Sequence, residues 1–156
     1  MPNDGALQKQ LAELLTSSHA HATFDQAVEG FPLDQIGTRP VSMPHSAWEL
    51  VEHIRITQND ILQFSLSPDY VSPEWPLGYW PKAQSPNSQE DWNNSIRLYH
   101  EDRKKFEALL LDPSQDLYRP FPWGDGQTLL REALLIADHT SYHVGQLMLV
   151  RRSLGA

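Results

Sequence analysis

LLIADHTSYHVGQLM, residues 134–148, decides how this chain is read. His139 and His143 stand one helical turn apart in it, among Leu134, Leu135, Ile136, Val144, Leu147 and Met148. The 3–4 spacing of the apolar residues is that of an amphipathic helix, so both imidazoles share its core-facing stripe. Residues four apart on a helix have Cβ atoms roughly 6 Å apart on one face, which lets both rings converge on one ion. A buried imidazole otherwise needs hydrogen-bond partners, and Thr140 and Tyr142 offer hydroxyls, so a pair of core histidines is the competing reading. A zinc-protease helix is excluded, because Thr140 stands where the general-base Glu would be.

Outward from this stretch, the last helix spans about Thr128 to Leu154, with Thr128 as N-cap, Arg151 and Arg152 near its C-terminus and Gly155 beyond it. Three more helices precede it. The first runs from about Asp4 to Val28 on Leu7, Leu11, Leu14 and Leu15, and ends at Gly30 and Pro32. The second runs from about Ser46 to Leu66, opened by a Ser46/Glu49 capping box and stopped by Pro68. The third runs from about Ser88 to Leu111 on Trp92, Ile96, Tyr99, Phe106, Leu109 and Leu110. Four long helices with apolar stripes predict an all-α four-helix bundle, with residues 1–156 forming one domain. Two connections are long and aromatic. The one between the second and third helices holds five prolines with Trp75, Tyr79 and Trp80; the one between the third and fourth holds Phe121 and Trp123. Both are expected to fold back over the ends of the helices.

The chain has 156 residues, no cysteine and a formal net charge of −8. Disulfides and thiolate ligands are therefore excluded. An acidic surface disfavours nucleic acid and anionic lipid. The densest cationic run, Arg103-Lys104-Lys105, is flanked by Glu101, Asp102 and Glu107, and reads as a solvated mixed-charge face. There is no apolar run of about 18 residues and no secretory pattern at the N-terminus, so the expectation is a cytoplasmic protein.

A catalytic zinc commonly takes three protein ligands. The second helix offers His53, whose neighbours Leu50 and Ile54 belong to the buried face. At 1.5 Å per residue, His53 lies roughly 10 Å into its helix, and His139 and His143 roughly 17 and 23 Å into theirs. Antiparallel packing permits the three to meet without requiring it.

PHSAWELVEHI (residues 44–54) and GDGQTLLREALLIADHTSYHVGQLMLVRRSLG (residues 124–155) resemble the two signatures of the DinB/YfiT-like superfamily of metal-binding four-helix bundles. The most specific element is a second-helix His paired with H-x-x-x-H on the last helix, followed by G-Q and a closing L-G. The resemblance implies that His53, His139 and His143 are the three metal ligands. It also implies an up-down-down-up bundle whose second and third helices are parallel, the proline-rich segment being the crossover between them.

Three neutral imidazoles suit zinc or nickel, and argue against an iron site that needs a carboxylate ligand. Ligating histidines usually donate their other N–H to a carboxylate, carbonyl or water. Glu49 and Glu132 lie on suitable faces, although Glu49 is the expected capping residue, and Asp138 points away. His19, His21, His45 and His100 do not fit the ligand pattern. Trp75, Tyr79, Trp80 and Trp123 are candidate walls of a substrate pocket, and Arg97 and Arg131 candidate attractors of an anionic substrate.

Relatives of the resembled kind include thiol-dependent transferases and isomerases and metal-dependent hydrolases. The implied function is thus a metal-dependent enzyme acting on a small molecule, of S-transferase or hydrolase type, with a low-molecular-weight thiol as a possible co-substrate. The alternatives are a non-enzymatic, stress-related metal- or ligand-binding bundle, and a structural dimer with an empty triad. A homodimer is the expected assembly, with Leu7, Leu11 and Leu14 as a candidate face.

Overall fold

The computed structural model describes residues 4–17 and 20–156. It is all-helical, with five α-helices and no strand among the described residues: α1 Asp4–Thr16, α2 Phe24–Val28, α3 Ala47–Leu66, α4 Gln89–Leu111 and α5 Leu129–Leu154. A short 3-10 turn, Leu77–Tyr79, lies between α3 and α4.

Local side chains set most of these boundaries. Ser46 Oγ accepts from the Glu49 amide while the Glu49 carboxylate reaches back to the Ser46 amide, closing the capping box. Ser88 and Thr128 cap α4 and α5 through their hydroxyls. Gly155 ends α5 at φ 71°, a left-handed conformation that glycine adopts without a Cβ penalty.

The expected first helix, Asp4 to Val28, is two helices. Residues 17 and 20–23 are non-helical, and a second capping box, Thr23 with Gln26, starts α2. The corner lets Phe24, Ala27 and Val28, followed by Phe31 and Ile36, enter the same apolar cluster as Trp92 and Tyr99. Phe24 stacks on Tyr99 with ring centroids 3.8 Å apart. Leu11 is buried in the chain's own core, whereas Leu14 is exposed.

The directions of the long helices follow from paired contacts. Glu52 accepts from Ser95, Gln58 donates to the Tyr99 carbonyl and Asn59 donates to Asp102, so α3 and α4 advance together and are parallel. α1 runs against α4, because Arg103 reaches the Leu15 carbonyl while Gln8 reaches that of Asp112. α5 runs against α3, with His53 beside His143 and Asp60 beside Glu132.

The core forms two clusters. One gathers Leu50, Val51, Ile54, Trp92, Tyr99, Val144 and Leu147; the other gathers Leu11, Leu15, Leu62, Phe106, Leu110, Leu117 and Ile136. The 67–88 segment lies over the first cluster, where Trp80 packs and Ser46 Oγ donates to the Gln84 carbonyl at 2.7 Å. A Cβ at Gly37 would sit 1.9 Å from Ser85 Oγ, so this close approach of residue 37 to the segment requires glycine. The 112–128 segment closes the other end, burying Leu117. No helix of the described residues is long and apolar enough to cross a membrane.

Ser46 thus serves both the α3 cap and the 67–88 segment. Ser46→Ala is expected to lower stability by about 1–3 kcal/mol, the sum of a cap and a second hydrogen bond. Urea unfolding measures this, and a loss below about 0.5 kcal/mol would mean that water replaces both contacts.

Candidate metal centre

α3 carries His53 and α5 carries His139 and His143, the latter two a turn apart on the face turned to α3. His53 Nε2 lies 3.1 Å from His143 Nε2 and 3.0 Å from His139 Nε2. One nitrogen from each ring falls within 4.8 Å of both others. His53 and His143 are buried and His139 is half-buried.

The second nitrogens set the tautomers. His53 Nδ1 lies 2.7 Å from the Tyr79 carbonyl, and His143 Nδ1 lies 2.7 Å from the Gln146 side-chain oxygen. A carbonyl oxygen only accepts, so both Nδ1 atoms carry hydrogen and donate. In the neutral rings both Nε2 atoms are then bare lone pairs, facing each other at 3.1 Å. Two acceptors at that distance repel; a hydrogen on His139 Nε2, 3.0 Å from His53 Nε2, satisfies one of them, and a cation between the rings satisfies both.

A proton is a poor candidate at neutral pH. Burial, then the neighbouring charge of His143 and His53, pushes the His139 imidazole down to about 3. Burial pushes His143 down to about 4, against the raising effect of Gln146. Burial also lowers His53, opposed by its bond to Tyr79. A divalent ion fits the donor set. Nitrogens about 2.0–2.1 Å from a shared zinc stand about 3.3 Å apart in a tetrahedron, near the two separations made by His53 Nε2.

Around the triad, Trp80 lies flat on His53, with centroids 3.9 Å apart and planes at 1°. His45 stacks on the other face of Trp80 at 4.0 Å. Tyr142 sets its ring edge-on to His143 at 4.9 Å. Tyr79 is tied down by its hydroxyl, which donates to Asp60 at 2.8 Å. Below the triad, Thr57 Oγ1 and Asp60 Oδ1 are buried without a hydrogen-bond partner among the described residues.

The structure brings Tyr79 and Trp80 to the triad. Trp75 is 78% exposed and meets Tyr79 edge-on, with no ring contact to the histidines among the described residues. Trp123 does not reach it: its indole N–H donates to the Phe64 carbonyl, eleven residues beyond His53 on α3 and so about 16 Å away along the axis.

The acidic candidates are engaged elsewhere. Glu49 holds the α3 cap and Arg39, and Glu132 accepts from Arg131. Arg97 pairs with Glu101. His45 is half-buried against Trp80, His100 meets Asp25 at 2.8 Å, and His21 meets Ser141 at 2.7 Å. His19 lies outside the described residues.

The hydroxyls offered as partners for a core-histidine pair do not serve it, since Thr140 Oγ1 accepts from Arg103 and Tyr142 is exposed. Gln146 stands in the sequence as the Q of G-Q with no role assigned, although its i+3 spacing from His143 suggests one, and the Tyr79 carbonyl is a backbone group with no residue signal.

No match was found among curated proteins or among solved structures. The sequence profile of the DinB superfamily matches residues 18–147, a span that includes α2 to α4, most of α5 and all three histidines. The chain therefore belongs to the DinB superfamily.

Proposed function

We propose that the protein is a metal-dependent enzyme acting on a small molecule, with His53, His139 and His143 holding one divalent ion, zinc or nickel. The observation that carries this reading is the pair of lone-pair Nε2 atoms held face to face by donating Nδ1 groups. When bound, the ion would supply Lewis acidity toward water or a thiol, the chemistry of a hydrolase or a thiol-dependent transferase. The chain's own residues hold and orient the rings: Tyr79 fixes His53, Gln146 fixes His143, and Trp80 keeps water from one face of His53. The chain has no cysteine, so a reacting thiol would come from a low-molecular-weight co-substrate, which a cytoplasmic setting supplies.

The proposed architecture is a single-domain up-down-down-up four-helix bundle. The parallel order of contacts between α3 and α4 supports it, with residues 67–88 as the crossover. A homodimer is the proposed assembly. The second reading is a non-enzymatic metal-binding protein, favoured by the cover that Trp80 places over His53.

Plasma mass spectrometry of the purified protein is expected to find about one zinc or nickel per chain, lost in His143→Ala while far-UV circular dichroism stays helical. A metal-free wild type after incubation with either ion would refute the reading. Substrate screening of the loaded protein against thiol-transfer and hydrolysis reactions then separates the enzyme from the metal-binding protein.

Trp80→Ala is expected to weaken metal affinity about tenfold, as loss of a group supporting a ligand does. Chelator competition measures it, and unchanged affinity would show that the stack has no role in holding His53.

Removing the metal should expose a pH dependence. In the unfolded chain the imidazoles take up protons near 6.5, whereas folded His139 and His143 stay neutral down to about 3 and about 4. Their depressed folded values give stability that is present above pH 6.5 and is lost as pH falls. Chelator-treated protein should therefore lose thermal stability between pH 6.5 and 5, above the range of ordinary carboxylates, and His139→Ala should flatten that slope. Equal slopes in the two proteins would contradict the assignment.

A further inference from the structure

A second site lies about 100° around α5 from the triad. A cavity of about 230 Å³ opens between α1, α2, α4 and α5. Arg103 lines it, and the expectation of a solvated face fails for this residue, which is 6% exposed. It stands a turn after Tyr99 and three residues before Phe106, on the inward stripe of α4.

Arg39, Arg55, Arg97 and Arg131 each pair with a carboxylate. Arg103 makes no ion pair among the described residues. Its Nε donates to Gln58 at 2.7 Å, Nη1 to the Leu15 carbonyl, and Nη2 to the Tyr99 hydroxyl at 2.7 Å and more weakly to Thr140 Oγ1 at 3.4 Å. Every acceptor is neutral. The Leu15 carbonyl, in the last turn of α1, brings only part of a helix C-terminal charge of about half a unit.

The donors outnumber the acceptors. A guanidinium has five N–H groups, and one on Nη1 has no acceptor among the described residues. The Tyr99 and Thr140 hydroxyls accept from Arg103, and among the described residues neither of their own hydrogens has an acceptor. All three groups line the same cavity, with Leu15, Phe24 and Val144 as apolar wall. Two carboxylates also line it, Asp25, engaged with His100 at 2.8 Å, and Glu107; both favour the Arg103 charge through space, but neither accepts a hydrogen bond from it. Surplus donors around a buried cation call for an anionic acceptor, since a buried charge is costly without a partner. The volume is below the roughly 300 Å³ at which pockets for drug-sized ligands begin.

We propose that this cavity binds a small organic monoanion, a carboxylate with a short apolar tail, its oxygens accepting from Arg103, Tyr99 and Thr140. The site is independent of the metal reading. Thr140 and Val144 each follow a triad histidine by one residue on α5 and so point about 100° away from it.

The test is a titration of the full chain with sodium hexanoate, followed by methyl NMR at Leu15, Ala137, Thr140 and Val144, with hexan-1-ol and sodium chloride as controls. The expected result is a saturable shift confined to these methyls, absent with either control and at least tenfold weaker in Arg103→Met. Arg103→Met removes the charge but also leaves Gln58 Oε1 and the Leu15 carbonyl without their donor. Should that variant not fold, Tyr99→Phe and Thr140→Val each delete one donor and should weaken binding severalfold. No saturable shift in the wild type, an equal response to hexan-1-ol, or unchanged affinity in the folded variants would overturn the proposal and leave a water-filled cavity.

Discussion

The hydrogen bond from His53 Nδ1 to the Tyr79 carbonyl couples a proline-rich segment to the electronic state of an imidazole. A carbonyl cannot donate, so the bond dictates which ring nitrogen carries hydrogen and turns the other lone pair toward α5. The carbonyl is held in turn by the Tyr79 hydroxyl on Asp60, the Trp80 stack and the Ser46 contact to Gln84. Each bond is worth about 1 kcal/mol alone. Together they make the order of the 67–88 segment and the aim of the ring a single structural condition.

Parallel packing of α3 and α4 makes that arrangement possible. A tight turn after Leu66 would send α4 back antiparallel and leave the first apolar cluster without its cover. The long return path instead carries Tyr79 and Trp80 over the end of α3 where His53 stands. The 112–128 segment has the opposite fate. It leaves α4 at the far end, so Trp123 meets Phe64 rather than the triad.

Much of this was legible in the residues. Ser46, Ser88, Thr128 and Gly155 act on neighbours within a turn, so their side chains alone marked the helix ends. The Thr23/Gln26 box is equally local, but the Leu7 to Leu15 periodicity was carried past it. His139 and His143 announce themselves by spacing. His53 needed a helix direction that spacing does not contain, and there the family resemblance supplied the link. Trp80 and Trp123 could not be told apart, because both are aromatic residues of long loops and topology alone decides which loop covers which end. Arg103 departs from the solvated face that its charge run implies, because successive residues of a helix point 100° apart and, of Arg103, Lys104 and Lys105, only the first falls on the inward stripe with Tyr99 and Phe106.

Trp80 lies between two imidazoles, His45 on one face and His53 on the other. An indole in van der Waals contact with an imidazole shares its electronic surroundings, and its excited state is sensitive to the charge on that ring. The stack that steadies His53 therefore also ties the optical properties of Trp80, one of five tryptophans, to the state of the triad.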